Sequence, residues 1–188
     1  MTGNRITFFL VAAATLALAG CGGGGGVDTT RQGEREAAVA FVDTAFAREM
    51  ATVDAYDRVL SLQERTDAPM LRLFRAQDQE HLDALLKAIR GLGGRVDPVK
   101  VAGERRALDY KGLKSRADSL ALAYEREGRG VAGDLDEVSQ LTISWPRSVL
   151  ASIATNQAQH LVLLRRALGA GPLATIPAPF ETGATPAP

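Results

Sequence analysis

LRLFRAQDQEHLDALLKAIRGL, residues 71–92, decides the fold class. Within it Leu71, Phe74, Asp78, His81, Leu85, Ile89 and Leu92 recur at steps of three and four. Steps of that size put all of these side chains on one face of an α-helix. A long apolar face must bury itself against other helices, yet this one carries an aspartate and a histidine at its middle. Polar or charged groups in such a seam are costly to bury unless something pairs with them. The same design returns further along, where Leu150, Ile153, Gln157, His160, Leu164 and Leu168 share a face. The chain has only two histidines, and each closes a short turn, Asp78-x-x-His81 or Gln157-x-x-His160, inside an otherwise apolar stripe.

Working outward, four helices are expected. The first runs from about Glu34 to Ser61 or Glu64 with a seam of Val42, Phe46, Glu49, Val53, Tyr56 and Leu60. Thr66-Asp67-Ala68-Pro69 offers a capping residue and an early proline, so the second helix starts near Ala68. It ends at Gly91-Leu92-Gly93-Gly94, where glycine takes the left-handed terminal conformation. Arg95 to Gly103, with Pro98, is a connection long enough to cross from one hairpin to the other along a bundle. The third helix is expected from Gly103 or Glu104 to about Val138, with weak points at Gly112, Gly128, Gly130 and Gly133. Ser144-Trp145-Pro146 opens the fourth, serine as cap and proline in the first turn, and Gly169 closes it. Arg75, Arg90, Arg165 and Arg166 read as solvated helix faces.

The polar residues on these seams are Glu49, Asp78, His81, Glu125, Gln157 and His160. Glu127 competes with Glu125, because Leu120, Tyr124, Glu127 and Val131 make a stripe of their own. Carboxylate-x-x-His turns facing a bundle interior are an arrangement that holds two metal ions. Here the chain resembles the ferritin-like superfamily, and within it the exported bacterial ferritin-like domain proteins, over roughly Glu34 to Phe180. The resemblance implies an all-α, antiparallel four-helix bundle with iron or manganese as cofactor. It also implies Glu49 and Glu125 as carboxylate ligands, Asp78 with His81 as the stronger half-site, and Gln157 with His160 as the weaker. Tyr56, seven residues after Glu49, fits the tyrosine that often follows the first ligand. Two departures stand out. Asp78 replaces a glutamate and is one methylene shorter, and Gln157 supplies a neutral amide where an anionic oxygen bridges two ions better. The alternative function is a structural or interaction module that keeps the fold without metal, its polar layer satisfied by hydrogen bonds alone.

The ends of the chain suggest where it resides. Arg5, the apolar run Ile6 to Ala17, and Leu18-Ala19-Gly20-Cys21 resemble a lipoprotein signal. Residues 1–20 are then a signal peptide and Cys21 the lipidated residue, carrying diacylglycerol with palmitate among the expected acyl chains. Residues 21–33, with Gly22 to Gly26, form a tether, residues 34–171 the bundle, and residues 172–188 a proline-rich tail that Phe180 pins to it. The expected location is the extracytoplasmic face of the cell membrane, with the membrane as partner through the lipid. Cys21 is the only cysteine, so no intramolecular disulfide is possible. Lys plus Arg equal Asp plus Glu at 22 each, which leaves no basic footprint for nucleic acid. The sequence names no protein partner and is compatible with a homodimer.

Overall fold

The structure is a computed structural model that describes residues 25–62 and 66–175, with backbone alone for 25–28. Cys21, the signal and Phe180 lie outside the described residues. The described residues are all-α: α1 (Gly25–Leu62), α2 (Ala68–Gly91), α3 (Pro98–Arg106), α4 (Arg116–Gln140) and α5 (Ser144–Ala167). No helix among them is long and apolar enough to cross a membrane.

The four long helices form the bundle. Cross-helix contacts fix its topology. Glu49 meets His81 and Asp57 meets Arg75, so α1 and α2 are antiparallel. Tyr56 meets Glu127 and Arg48 meets Glu137, so α1 and α4 are antiparallel too. Gln77 of α2 meets His160, and Arg116 of α4 meets Ala167, which makes α5 antiparallel to both. The order is therefore up, down, down, up, and the link from α2 to α4 has to travel the length of the bundle. It does so along α1: Asp97 N–H donates to Asp43, Lys100 pairs with Asp43, and Arg105 pairs with Asp54. The expected crossover is present, and α3 is the part of it that is helical. Asp97 caps α3 by accepting from Val99 N–H at 2.8 Å, and Pro98 occupies its first turn.

The expected stripes are the buried ones. Leu71, Phe74, Asp78, Leu85 and Ile89 on α2, and Leu150, Ile153, Gln157, His160 and Leu164 on α5, are all inaccessible or nearly so. They build two apolar clusters, one around Phe74, Tyr124 and Leu164 and the other around Val42, Ile89 and Leu150. The polar layer lies between them. α1 is buried on several sides because α2, α3 and α4 all pack on it; its alanines at 45, 47, 51 and 55 let them approach.

Several boundaries differ from expectation. α1 begins at Gly25, so residues 27–33 continue the helix rather than the tether. That stretch holds no proline, and its one interior glycine, Gly33, costs only about 1 kcal/mol. The expected third helix is broken, but at 107–115 and not at its later glycines. There Asp109 turns back to accept from Lys111 N–H, and Ser115 and Asp118 form a capping box that starts α4 afresh. Gly130 and Gly133 lie inside α4, where neighbouring side chains occupy the space a Cβ would take. Ser144 is the first residue of α5, not its cap, and Ile143 precedes it without a side-chain bond. Asp67 precedes α2, but its carboxylate is drawn to Arg116 rather than to the helix end. Arg165 is buried, with its guanidinium over the Tyr124 ring. At the end of α2, Gly93 takes φ 82° as expected.

Candidate metal centre

The polar layer is a compact set of side chains from the four long helices. His81 Nδ1 lies 2.6 Å from Glu49 Oε1. Gln157 Nε2 donates to Glu49 Oε2 at 2.9 Å. On the other side His160 Nδ1 lies 2.9 Å from Glu127 Oε1, and Tyr56 donates to that same oxygen at 2.5 Å. The His160 ring stacks on Phe74 with centroids 4.0 Å apart, and its Nε2 lies 2.7 Å from Gln77 Oε1.

Asp78 sits in the middle. Its Oδ1 is 3.5 Å from His81 Nδ1 and 3.9 Å from His160 Nδ1. It is wholly buried, and neither of its oxygens accepts a hydrogen bond. Ligand atoms of Glu49, Asp78 and His81 lie within 4.8 Å of one another, and so do those of Asp78, Glu127 and His160. The two triads share Asp78, so a divalent ion in either would contact the same carboxylate.

Five of the six sequence-derived ligand positions, Glu49, Asp78, His81, Gln157 and His160, converge here. Glu125 does not and must be corrected. It points to solvent, where its nearest charged partner is Arg129 at 4.0 Å. Glu127, two residues on, is fully buried and takes that place. A signal for it existed in the spacing. Glu127 precedes His160 by 33 residues and Glu49 precedes His81 by 32, so the two hairpins match when Glu127 is chosen.

Three neighbours escaped the sequence reading. Arg48 donates to Asp134 and to Glu137 at 2.8 Å. Arg126 is almost inaccessible and donates to the Arg48 carbonyl at 3.2 Å. Asp134 stands seven residues after Glu127, as Tyr56 stands seven after Glu49; that repeat is the only mark it leaves in the sequence.

Burial governs the electrostatics. Loss of solvent pushes Asp78 and Glu49 well above the usual carboxylate range, and mutual repulsion with Glu127 adds to it. Glu127 is raised to about 8 by burial, against the Tyr56 bond and the Arg126 charge, which act downward. Burial lowers His160 to about 4 and lowers His81 as well. Carboxyls that hold protons beside imidazoles that refuse them are what a low-dielectric site does with charge it cannot otherwise balance. A cation would reverse the first trend, drawing the protons off the carboxyls, and reinforce the second, since it ligates the neutral imidazole. An open cleft between α2 and α5, lined by Glu80, Ala84, Ser148, Val149 and Ser152, reaches His81. The His81 side chain is 12% exposed and that of His160 is 2%. The half containing His81 is therefore the one that faces solvent.

The family model described as ferritin-like domain matches residues 30–170. The chain belongs to the ferritin-like domain family. No curated protein and no solved structure matches it. The matched span of this ferritin-like domain takes in α2, α4 and α5 whole, α1 from residue 30, and every residue of the polar layer.

Proposed function

We propose that this ferritin-like domain binds divalent iron or manganese in its core, as an exported protein held to the cell membrane by a lipid on Cys21. The observation that carries the metal reading is Asp78. A buried carboxylate with no hydrogen bond on either oxygen costs on the order of several kcal/mol if ionised, and native structures rarely tolerate it unexplained. Two imidazole Nδ1 atoms and two further carboxylates surround it. That donor set, three carboxylates and two imidazoles, suits borderline divalent ions.

Glu49, Asp78 and His81 would hold one ion, and Asp78, Glu127 and His160 the other. Bound there, the metal would supply electron transfer to a small oxidant. The residues' own work is to bring anionic oxygen into a dry core, to exclude water with Phe74 and the apolar layers, and to keep both Nδ1 atoms facing inward. Gln157 makes the site degenerate. Its neutral amide spends its N–H on Glu49, and its Oε1 is buried without a donor. Three negative charges then face four positive ones if both ions bind, which favours single occupancy of the solvent-facing half.

The test is metal content after anaerobic loading with ferrous iron or manganese and desalting, together with melting in the presence and absence of metal. Retained metal should raise stability by about 2.7 kcal/mol at a hundredfold excess over Kd. Asp78→Asn removes the shared charge while keeping the shape. It should abolish retention and raise the melting temperature of the metal-free protein. If wild type and Asp78→Asn retain nothing and melt alike with or without chelator, the metal reading is wrong. The metal-free interaction module is then the function. The bonds that Glu49 makes to His81 and to Gln157 Nε2 without any ion are the observation that favours that second reading.

A further inference from the structure

The two halves of the site share a feature that lies one residue outside the ligands. Gln77 precedes Asp78 on α2, and Asn156 precedes Gln157 on α5. The sequence of each helix is thus amide, central residue, two others, histidine. Gln77 does not serve its own helix's histidine. Gln77 Oε1 lies 2.7 Å from Nε2 of His160, on the opposite helix. Asn156 makes no such bond, since its Oδ1 is buried without a hydrogen-bond partner.

An imidazole binds metal through a bare nitrogen, and the hydrogen bond made by its other nitrogen selects which one is bare. In both rings Nδ1 is the atom turned to the carboxylates. An amide oxygen at Nε2 requires a proton there and leaves the Nδ1 lone pair aimed into the layer. We propose that Gln77 is the positioning residue that fixes His160 as the Nε2–H tautomer. The amide that orients the histidine of α5 thus sits on α2. It also ties α2 to α5, the neighbouring pair with the thinnest packing. The consequence for metal rests on the reading above. The tautomer does not, because it is a property of the metal-free protein.

The experiment is nitrogen-15 NMR of the histidine rings in the metal-free full chain. Two histidines give two ring systems. Wild type should show His160 with a pyridine-like Nδ1 and a pyrrole-like, protonated Nε2. Gln77→Ala should turn that ring into a tautomer mixture, leave His81 unmoved, and change the fold little. Gln77→Glu keeps an acceptor at the same place and should restore the wild-type pattern. A protonated Nδ1 on His160 in wild type would overturn the proposal, as would an unchanged His160 tautomer in Gln77→Ala. In loaded protein Gln77→Ala should weaken the ion at His160 by about ten- to a hundredfold, and Gln77→Glu should recover most of it. If no protein retains an ion while the tautomers respond as stated, the metal reading fails and the positioning role stands.

Discussion

Gln157 owes its place to a residue on another helix that has no side chain. A Cβ on Gly130 would stand 2.5 Å from both the Nε2 and Oε1 of Gln157. The amide end of a free glutamine could swing aside at little cost, but this one is buried and bonded to Glu49. Gly130→Ala should therefore destabilise the bundle by about 1–3 kcal/mol through overpacking, even though alanine is the better helix former by about 1 kcal/mol. With Gln157→Ala in place the clash is gone, and the same glycine substitution should be neutral or stabilising. A double-mutant cycle by urea unfolding checks this, and the coupling should be about 1 kcal/mol or more. The same pair shows what the sequence reveals at this scale. Asp78, His81, Gln157 and His160 are legible because a polar residue interrupting an apolar three-four stripe has no bland surface explanation. Glu125 against Glu127 is not resolved by stripes, since α4 is rich in charged and small residues and two faces look equally plausible. Only the facing helices select one. Gly130 and Gly133 read as weak points in isolation, whereas contact with Gln157 and Arg48 makes their smallness a requirement.

Between elements, the tie of α1 to α4 depends most on Arg48. Its guanidinium runs against Gly133 and bonds both Asp134 and Glu137, which are themselves buried. The two carboxylates hold the Arg48 pKa above its ordinary value even though burial opposes this. Arg48→Ala would leave two buried carboxylates facing one another without a partner. The expected loss is about 3–5 kcal/mol in unfolding free energy. Adding Asp134→Asn should return part of it by removing one of the two charges, and chemical denaturation of the three proteins gives the comparison. None of this is visible in a helix-by-helix reading, because Arg48 looks like any charged residue beside a seam. Helix number and pairing are far more legible than such ties. The early proline of α2 and the Gly93 turn are local signals, and local chemistry decides them. The gap at 107–115 is also local, through Asp109 and Ser115, but the glycines further on offered a competing place to break. α4 runs through those glycines unbroken.

Considered as a whole molecule, the bundle has a charged layer between two apolar halves, and its stability must follow the protons that layer holds. Asp134 is raised to about 7 and Glu127 to about 8, in both cases chiefly by burial. A carboxyl with a raised folded pKa contributes stability that is full below its unfolded value and is lost as pH climbs through the folded value. His160, lowered to about 4, acts oppositely, and its contribution is complete above about pH 6.5. Between about pH 6.5 and 8 the carboxyls act alone, so the melting temperature of metal-free protein should fall across that window. Metal binding needs Glu127 ionised and should strengthen over the same range, so the gap between loaded and metal-free melting curves should widen. The remaining property belongs to the chain beyond the bundle. The neutral balance of 22 basic and 22 acidic residues gives no reason for a membrane surface to hold this protein by charge. Attachment should therefore depend on acyl chains at Cys21, with diacylglycerol and a further acyl group together sufficient for stable anchoring where one chain is marginal. Expressed in a bacterium that processes lipoproteins, the full chain should sediment with membranes and stay there in high salt. Cys21→Ser should move it to the soluble fraction with its helical content and melting temperature unchanged. Wild-type protein that washes off in salt would indicate electrostatic or protein-mediated attachment, and Cys21→Ser protein that still sediments would place the anchor somewhere other than the thiol.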